Sequence, residues 1–501
     1  MAKTARDIFV GVDVWGRGSH GGGGFGAYKA IEHVAAVGSA MGIAFFGQGW
    51  TWESIENEPW WTWEHWWNRE RTLWVGPANP KEHVEVPEAP RRPNEPHCPH
   101  GPFKPMSKFY PPCPPPDPLL FPFWTSFCPG VGFKWFVAGV EVSAKNPVWK
   151  ETKNAKGWTD VSKQTSLGNQ LWPRPMLSWD TDTLSTDLRL PHASTSLLFD
   201  DAYNGGSSVK ITIELQAPPK DRIDDAQFRS VRIAVQGLCV TPGVSYDATL
   251  IYKIDGESEE SGVDVNVGLS IKNKTSAGTV VDVVTRPGPD QHDDERLNGW
   301  SRTSVRFTAD AKDPAEGTLI SIGTVLGMFT EDASKSYNIQ LRLGQLSVLP
   351  APVERVEPAL TRILWASAET TRDNNADAAT SNQLSLTWEF ASSFDSPPRF
   401  TPTNRDDPNP PWILDHTLSS LPRFAYFNVY VLAIKAGVAS KPEEAIFVGT
   451  TGWHGHRNAL TLYRDVLPEE VKKGPIRVYV QGVLEGGVVL PWSRCAFVEV
   501  K

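Results

Sequence analysis

The first 75 residues alternate between short apolar runs and stretches of helical period. Residues 7–14, DIFVGVDV, form a nearly continuous apolar run with β-branched members, which is typical of a buried parallel strand. Apolar positions recur at helical spacing over 25–42, and residues 43–50, IAFFGQGW, form a second apolar run. A further helix is predicted over 52–74, with Pro59 marking a late start or a kink. This order predicts α/β units of the kind repeated in barrels and doubly wound sheets.

Proline dominates residues 76–130 and restricts the structure that this part of the chain can form. Because proline fixes φ and has no backbone donor, helices and central strands are excluded there. We expect an extended segment whose apolar side chains dock on a neighbouring part of the chain. These side chains are Phe103, Phe109, Tyr110, Phe121, Phe123 and Trp124.

Beyond this segment the apolar positions change to a period of two. Short runs such as 207–216, 228–240 and 337–349 are separated by Gly, Pro, Asp and Asn. Such spacing predicts an antiparallel β-sandwich, of jelly-roll or lectin-like type, over residues 131–355.

A second set of strand-like runs follows Pro358. Within it, Trp388 and Tyr479 resemble the core Trp and a strand Tyr of a fibronectin type III sandwich, so we predict a domain of that type over 356–501. The expected fold class is therefore multidomain, with an α/β part at 1–75 followed by two antiparallel β-sandwiches.

Composition narrows the possible partners. The 501 residues contain 49 Lys and Arg against 58 Asp and Glu, a formal net charge of −9. Because a nucleic-acid-binding surface needs an excess of positive charge, we expect no nucleic-acid partner. Trp is frequent, at 21 residues, and an indole offers a sugar ring both a flat apolar face and an N–H donor. The surplus is a hint of carbohydrate binding.

Two features favour a cytoplasmic protein, located in the cytosol. The opening MAKTARDIF lacks the apolar core of a signal peptide, and no apolar run approaches the length of about 18 residues that suggests a membrane span. Five cysteines, an odd number, favour reduced thiols over a disulfide framework. Because no apolar run is long enough to span a membrane, we also expect no membrane partner.

Several long motifs resemble glycoside hydrolase family 85. DIFVGVDVWGRGSHGGGGF at 7–25 and IAFFGQGWTWE at 43–53 resemble the last two strands of that family's (β/α)8 TIM barrel. FCPGVGFKWFVAGVEV at 127–142, WTDVSKQTSLGNQLWP at 158–173 and SLLFDDAYNGGSSVKI at 196–211 resemble the β-sandwich that follows the barrel. The family comprises cytosolic endo-β-N-acetylglucosaminidases, which cut the chitobiose core of N-glycans. The resemblance thus implies that residues 1–75 are the C-terminal part of a TIM barrel.

The resemblance also implies a chemistry. The 2-acetamido oxygen of the sugar attacks its own anomeric carbon, so no enzyme carboxylate acts as nucleophile, an exception to the usual two-carboxylate scheme. One Glu protonates the leaving oxygen, and an Asn two positions before it orients the acetamide. Both belong to a strand in the middle of the barrel. N-glycans or free oligosaccharides are the expected partners, and no cofactor is expected.

This sequence departs from the family pattern because the Asn-x-Glu strand has no counterpart. Asn68 and Glu70 have the right spacing, but they fall in the predicted helix and are expected to be a chance match. We therefore assign no catalytic residue and expect a gene model that starts inside the barrel, with a chain that is inactive alone. The alternative is a non-catalytic carbohydrate-binding or interaction protein.

Functional groups of a barrel lie at the carboxyl ends of its strands, which identifies five candidate substrate-binding residues. They are Asp13, Trp15 and Arg17 after the first strand and Trp50 and Glu53 after the second. Either tryptophan could stack on a sugar, while Asp13 and Arg17 order the loop or bind hydroxyls. The alternative is that Asp13 and Arg17 form a structural pair and that Trp15 contributes packing.

Other patterns carry weaker hypotheses. The glycines at 21–24 lack the spacing of a dinucleotide-binding loop and are better interpreted as a flexible loop. The acidic and Trp-rich segment 56–74 is interpreted as a packed outer helix rather than a cleft. A zinc site is considered at His97, Cys98, His100, Cys113 and Cys128, and a chelating pair at His454 and His456. Since no Cys-x-x-Cys pair is present and the cysteines are sparse, we predict no metal.

Overall fold

A computed structural model describes most of the chain. The described residues are 5–36, 41–77, 79, 81–86, 88, 98–110, 115–132, 134–146, 159–166, 168, 175–180, 188–220, 227–255, 262–273, 282–288, 297–310, 318–351, 361–371, 383–391, 400–402, 412–414, 424–451, 458–464 and 467–501. The chain divides into two compact units, 1–114 and 115–501, which are described separately. The domain boundaries predicted at residues 75, 130 and 355 stay predictions.

The first unit contains two parallel strands joined by a helix. Its elements are β1 (Phe9–Asp13), α1 (Tyr28–Ala36), β2 (Gly42–Phe46), α2 (Trp50–Glu53) and α3 (Trp63–Val75). Phe9 lies opposite Gly42 and Asp13 lies opposite Phe46, so the two strands end at the same edge. The order of elements is the one that the hydrophobic pattern predicts.

The predicted helix over 52–74 is interrupted around Pro59. A short α2 ends at Glu53, and α3 begins only after Thr62, whose hydroxyl oxygen accepts a hydrogen bond from the backbone N–H of His65 at 3.2 Å. This side-chain cap satisfies one of the free amides of the first helical turn. Pro59 therefore marks the late helix start expected from the sequence.

The core of the first unit is small and includes the proline-rich segment. Val12, Val14, Ile31 and Leu73 are almost fully buried, and Met106 from the proline-rich segment is buried among them. Phe103 and Phe109 pack against the same core, as expected for docking side chains. This segment therefore supplies part of the first unit's hydrophobic core.

One face of the β1–β2 pair remains uncovered in the first unit. Phe9 and Phe46, at opposite ends of the two strands, are 68% and 64% exposed. In the described part of the chain, the pair forms a sheet of two strands with no third strand on either edge. Folded proteins usually protect the edge strands of a sheet and rarely expose large apolar surfaces.

The second unit begins with a β-sandwich. Its strands, including short flanking ones, are β3 (Phe123–Thr125), β4 (Pro129–Gly132), β5 (Phe136–Val137), β6 (Val140–Glu141), β7 (Thr159–Gln164), β8 (Leu177–Trp179), β9 (His192–Leu198), β10 (Ser208–Leu215), β11 (Phe228–Val240), β12 (Ser245–Asp255), β13 (Val263–Asn273), β14 (Asp282–Pro287), β15 (Ser301–Asp310), β16 (Thr318–Thr330) and β17 (Tyr337–Pro350). A seven-stranded sheet has the order β14-β15-β12-β17-β10-β9, with β3 also paired to β17. A four-stranded sheet has the order β13-β16-β11-β8, and side chains of both sheets form one core.

A second two-sheet arrangement follows. Its elements are β18 (Ile363–Thr371), β19 (Gln383–Phe390), β20 (Phe400–Pro402), β21 (Trp412–Leu414), β22 (Phe424–Ala433), β23 (Ile446–Thr451), β24 (Ala459–Tyr463), the short helix α4 (Glu469–Lys472), β25 (Ile476–Leu484) and β26 (Ala496–Val500). Sheet β18-β19-β24 faces sheet β23-β22-β25-β26 across a shared core. Trp388 lies in this core, 1% exposed.

Tyr479 in β25 points away from the core that contains Trp388 and lies on the outer face of the sheet β23-β22-β25-β26. That outer face is covered by the segment that follows β4, where Trp135 stacks on Phe447 with ring centroids 6.2 Å apart. Asn146 of the same segment donates from Nδ2 to the carbonyl oxygen of Phe447 at 2.9 Å. The buried Tyr479 therefore belongs to a separate cluster, and the fibronectin-like topology stays a prediction.

The described residues form mostly strands and few helices, and none of their sheets closes into a barrel. The antiparallel sheets predicted after residue 130 are present, whereas the origin of residues 1–75 in a TIM barrel stays a prediction. In the described residues, no helix combines the length and the apolar character required for a membrane crossing.

Candidate functional site

The five predicted site residues all lie at or shortly after the carboxyl ends of β1 and β2. Asp13 is the last residue of β1, and the loop after it carries Trp15 and Arg17. Trp50 and Glu53 are the first and last residues of α2, directly after the second strand. Because the strands are parallel, both loops emerge at one edge of the sheet.

Asp13 holds its loop together through its carboxylate. Oδ1 accepts from the backbone N–H of Trp15 at 3.1 Å, and Oδ2 accepts from the backbone N–H of Arg17 at 3.2 Å. The same Oδ2 accepts from Arg17 Nε at 2.8 Å. The side-chain hydrogen bond from Arg17 is the main reason that the pKa of Asp13 is lowered. The carboxylate is thus held ionised and occupied by its own loop.

Arg17 forms the structural pair with Asp13 that the sequence left as one alternative, but its side chain stays 64% exposed. Its hydrogen bond to Asp13 raises the pKa of the guanidinium, and the Glu53 carboxylate adds an attraction in the same direction. The guanidinium carbon lies 5.3 Å from the centre of the Phe46 ring. Arg17 therefore links the two loops and retains a solvent-facing surface.

Trp15 is partly exposed and lies over the start of the second loop. The residue is 39% exposed. A Cβ on Gly47 would lie only 2.7 Å from Trp15 Cδ1, and the φ of Gly47 is +71°. The glycine lets the backbone pass beneath the indole, so that Trp15 contributes packing while keeping part of its surface in solvent.

The ring of Trp50 has more contacts with other side chains than that of Trp15. The guanidinium carbon of Arg69, on α3, lies 3.7 Å from the centre of the Trp50 ring, and Phe25 contacts the ring edge-on at 5.4 Å. A Cβ on Gly24 would lie 2.7 Å from Trp50 Cζ2. Burial lowers the pKa of Arg69, which donates to Ser54 Oγ at 2.9 Å. One face of Trp50 is therefore taken by a cation of the protein itself.

The Asn-x-Glu match lies in a helix, as expected. Asn68 and Glu70 are both residues of α3. Glu70 accepts hydrogen bonds from Thr51 Oγ1 at 2.5 Å and from Trp74 Nε1 at 2.8 Å. Both carboxylate oxygens thus have structural partners, and Glu70 ties α3 to α2.

The Trp-rich segment forms an aromatic cluster. Trp52 contacts Trp61 and Trp66 edge-on, with ring centroids 4.9 and 5.5 Å apart, and Trp66 contacts Trp67 at 5.9 Å. Trp60 is half exposed. The packed arrangement agrees with the interpretation of this segment as a packed helix rather than a cleft.

The glycine tract is packed rather than exposed. Gly21, Gly23 and Gly24 are buried, and all four glycines from 21 to 24 have positive φ. A Cβ on Gly23 would lie 2.3 Å from the backbone nitrogen of Gly16. The tract therefore allows close backbone approach, and the flexibility expected of this loop stays a prediction.

A second group of side chains, which the sequence did not bring together, lies beside this loop. His20, His33, Cys98 and His100 place one ligand atom each within 4.8 Å of one another. Sequence reasoning considered Cys98 and His100 only with neighbours along the chain, and it missed His20 and His33. His97, Cys113, His454 and His456 lie outside the described residues, and Cys128 is buried in the second unit.

A carboxylate supports this group from one side. His100 Nδ1 donates to Glu32 Oε2 at 2.6 Å, and Lys104 Nζ donates to Glu32 Oε1 at 2.5 Å. Burial alone would raise the pKa of Glu32, but the hydrogen bonds from Lys104 and His100 outweigh it and lower the pKa. The four cysteines in the described residues, Cys98, Cys128, Cys239 and Cys495, are free thiols.

Residues 1–135 match the family model described as glycosyl hydrolase family 85. Among solved structures, the chain is similar to the glycoside hydrolase domain of Endo-D from Streptococcus pneumoniae R6, with 14% identity over 92% of this chain and 53% of that one, at a TM-score of 0.42. The chain therefore spans about half the length of that structure.

Two further solved structures are similar at lower TM-scores. The adhesin domain of Epf from Streptococcus pyogenes is 11% identical over 65% of this chain and 91% of that one, with a TM-score of 0.18. The N-terminal CBM22-1-CBM22-2 tandem domain of Xyn10C from Paenibacillus barcinonensis is 9% identical over 64% and 92%, with a TM-score of 0.17. No curated protein matches the sequence.

Proposed function

We propose that this chain carries the substrate-binding loops of an endo-β-N-acetylglucosaminidase, because its residues 1–135 match the glycosyl hydrolase family 85 model. The proposed reaction of the complete site is hydrolysis of the GlcNAc–GlcNAc bond in the N-glycan core, assisted by the substrate's own acetamide. The observation that carries the proposal is the grouping of Asp13, Trp15, Arg17 and Glu53 at one sheet edge inside the matched segment.

The loop residues have distinct proposed roles. Trp15, with its partly exposed indole, offers an apolar face on which a sugar ring can stack. Arg17 commits Nε and one terminal nitrogen to Asp13, and its remaining N–H groups can donate to sugar hydroxyls. Asp13 acts as a positioning residue, since its carboxylate is already engaged by the loop. Trp50 has a packing role rather than a sugar-binding one, because Arg69 covers one face of its ring.

The described residues supply no Asn-x-Glu pair at a strand end. The match at Asn68 and Glu70 is in α3, where both oxygens of Glu70 accept hydrogen bonds. A general acid contributes about 10²–10⁴-fold to such a reaction, and an oriented acetamide contributes further. We therefore expect no measurable cleavage by this chain alone, with the acid supplied by strands outside it.

The exposed face of the β1–β2 pair supports this view. Phe9 and Phe46 are largely exposed on a sheet of two strands in the described part of the chain. Neighbouring strands of a closed barrel would pair both edges and cover the inner face. Residues 1–75 are accordingly proposed as the last two units of a TIM barrel.

The test is release of glycan from a high-mannose glycopeptide by this chain and by a version extended upstream to include an Asn-x-Glu strand. We expect release only by the extended version, with kcat/KM reduced in its Trp15→Ala and Arg17→Ala variants. Trp365→Ala, at a half-exposed tryptophan of β18, is the control. Cleavage by the unextended chain, or an extended protein insensitive to both variants, would refute the proposal.

A second candidate is a non-catalytic carbohydrate-binding protein, favoured by the partly exposed Trp15 beside a free guanidinium surface. Titration of N-glycan core oligosaccharides into the full chain, followed by Trp fluorescence, tests it. A saturable change that is lost in Trp15→Ala supports binding, and no change at millimolar sugar excludes it. A location in the cytosol is part of both proposals.

A further inference from the structure

Four potential metal ligands converge from three separate parts of the first unit. His20 lies in the glycine-rich loop, His33 in α1, and Cys98 and His100 in the proline-rich segment. Their ligand atoms all lie within 4.8 Å of one another. His20 and His100 are 80 residues apart in the chain, so that their contact arises only from the fold.

The distances within the group suit one shared ion. His20 Nε2 and His100 Nε2 lie 2.8 Å apart, and Cys98 Sγ lies 3.2 Å from His33 Nε2. Tetrahedral zinc with bonds of about 2.0–2.1 Å to nitrogen and about 2.3 Å to sulfur separates its ligand atoms by roughly 3.3–3.6 Å. A small outward movement of the closest pair would meet this spacing.

The three imidazole rings of the group contact one another. His33 is edge-on to both His20 and His100, with ring centroids 4.6 and 5.2 Å apart. His20 and His100 are tilted at 5.1 Å rather than stacked. The three rings are therefore packed closely without parallel stacking, and the separations of their ligand atoms show that these atoms converge.

Glu32 fixes the tautomer that a metal requires. Because His100 Nδ1 donates to Glu32 at 2.6 Å, the Nε2 atom of a neutral His100 carries a lone pair directed at the group. A carboxylate that accepts from the far nitrogen of a ligand histidine is the usual outer support of zinc sites. Lys104 binds the other oxygen of Glu32 and holds the carboxylate in place.

Packing and hydrogen bonds of the surrounding backbone fix the positions of the loops that carry the ligands. A Cβ on Gly21 would lie 2.5 Å from the carbonyl oxygen of Gly26, so the chain turns tightly directly after His20. Tyr28 Oη donates to the carbonyl oxygen of Gly101 at 2.7 Å, which ties the proline-rich segment to α1 beside His100. The ligands are therefore set by packed backbone as well as by their own contacts.

We propose that His20, His33, Cys98 and His100 bind one zinc ion in a structural site. Three imidazoles and one thiolate are donors that zinc favours, and four protein ligands complete its tetrahedral shell. The ion joins the glycine-rich loop and the proline-rich segment to α1, and so reinforces the small core of the first unit. This departs from the sequence-based prediction of no metal, which considered ligands within one segment only.

The first experiment measures zinc in the purified full chain by elemental analysis and by competition with a chromophoric chelator. We expect one zinc per chain with a Kd tighter than about 0.1 µM. Replacement by Co²⁺ should give the absorption of a tetrahedral site with a thiolate-to-cobalt charge-transfer band. A chain that takes up no zinc at micromolar concentration, or cobalt spectra without a thiolate band, overturns the proposal.

Variants assign the ligands. Cys98→Ser should abolish the charge-transfer band, while the matched control Cys239→Ser should keep it. His100→Ala should lose zinc, while His83→Ala, at an exposed histidine nearby, should retain it. Glu32→Gln leaves all four ligands in place and should weaken zinc binding about 10–100-fold, which keeps the test decisive if a ligand variant fails to fold. Equal zinc affinity in Cys98→Ser, His100→Ala and the unaltered chain means a hydrogen-bonded histidine cluster, and the proposal fails.

Discussion

Asn204 Nδ2 donates a hydrogen bond to Gln345 Oε1 at 2.8 Å, in a position where both side chains are almost fully buried. The same amide donates to the carbonyl oxygen of Gly487 at 3.0 Å, and its own oxygen accepts from the backbone N–H of Ala138 at 3.0 Å. Gln345 belongs to β17 of the first sandwich and Gly487 follows β25 of the second. The Asn-Gly-Gly-Ser-Ser motif at 204–208 therefore joins the two sandwiches of the second unit.

Asn204→Ala should destabilise the second unit by at least about 2 kcal/mol. The substitution leaves the buried oxygens of Gln345 and Gly487 without a donor, and each unsatisfied buried group costs about 1–3 kcal/mol. Urea unfolding followed by fluorescence measures the change in the free energy of unfolding. Asn266→Ala, at an exposed position of β13, is the control and should change it by less than about 0.5 kcal/mol. Equal effects of the two variants would contradict a bridging role for Asn204.

Trp50→Ala should cost more stability than Trp15→Ala. Trp50 is covered by Arg69 at 3.7 Å and contacted by Phe25, whereas Trp15 is 39% exposed. Loss of a packed indole and its cation–π contact is expected to cost about 2–4 kcal/mol, and loss of Trp15 about 1 kcal/mol. Thermal unfolding of the two variants checks the order. A larger loss in Trp15→Ala would show that it is the structural residue of the pair.

Gly23→Ala should be strongly destabilising, and Gly18→Ala only mildly so. Both glycines have positive φ, +73° and +78°, but a Cβ on Gly23 would lie 2.3 Å from Gly16 N, whereas a Cβ on Gly18 meets nothing within 4 Å. Left-handed backbone costs an alanine about 1–2 kcal/mol, and the clash adds roughly 1–3 kcal/mol at Gly23 alone. Calorimetry of both variants isolates the effect of close approach. Equal melting temperatures would mean that the loop relaxes freely.

The Asp13–Arg17 pair should contribute stability that depends on pH. The pKa of Asp13 is lowered in the folded chain, chiefly by the side-chain hydrogen bond from Arg17. The contribution is therefore complete above the ordinary Asp pKa of about 4 and is lost as the pH falls through the lowered folded value. Asp13→Asn should reduce the melting temperature at pH 7 and converge with the unaltered chain in strong acid. Arg17→Met should show the same convergence, and parallel curves for either variant would argue against the pair.

Cys495 should resist alkylation in the folded protein. Burial raises the pKa of its thiol to about 12, so at pH 8 only about one molecule in 10⁴ carries the reactive thiolate. Burial also raises the pKa of Cys128. Brief iodoacetamide treatment followed by peptide mass spectrometry should leave both thiols unmodified, while protein unfolded in urea should be labelled at each. Labelling of Cys495 at equal rates in both states would contradict the raised pKa of this half-buried thiol.

The hydrophobic pattern predicted many strands closely because the side-chain period of a strand is a property of its own backbone. The run 228–240 coincides with β11, and the run 337–349 with β17 apart from its final proline. The pattern does not identify β16, an internal strand of the four-stranded sheet. Its sequence TLISIGTVLGMFT carries apolar side chains on both faces, with Ile320, Ile322 and Leu326 in the core and Leu319, Val325 and Phe329 on the other face, so the period of two is obscured.

The sequence predicted the residues of the candidate site but not how exposed each one is. These residues were identified from strand ends and from the family resemblance, and the structure places Arg17 within electrostatic reach of both Asp13 and Glu53. The unequal exposure of the two tryptophans was not accessible from the sequence. It depends on Arg69, which reaches Trp50 from a helix whose orientation follows from packing rather than from local sequence.

The sequence by itself determined the order of strands and helices in residues 1–75, the late start of α3, many strands of the sandwiches and the match of residues 1–135 to the family model. These follow from periodicity, proline geometry and long motifs, each contained in a short stretch of chain. Only the tertiary structure decided that His33 meets Cys98 across 65 residues and that His20 meets His100 across 80. Such contacts are products of packing between segments, and ligand spacing along a chain reveals only sites that one segment builds alone.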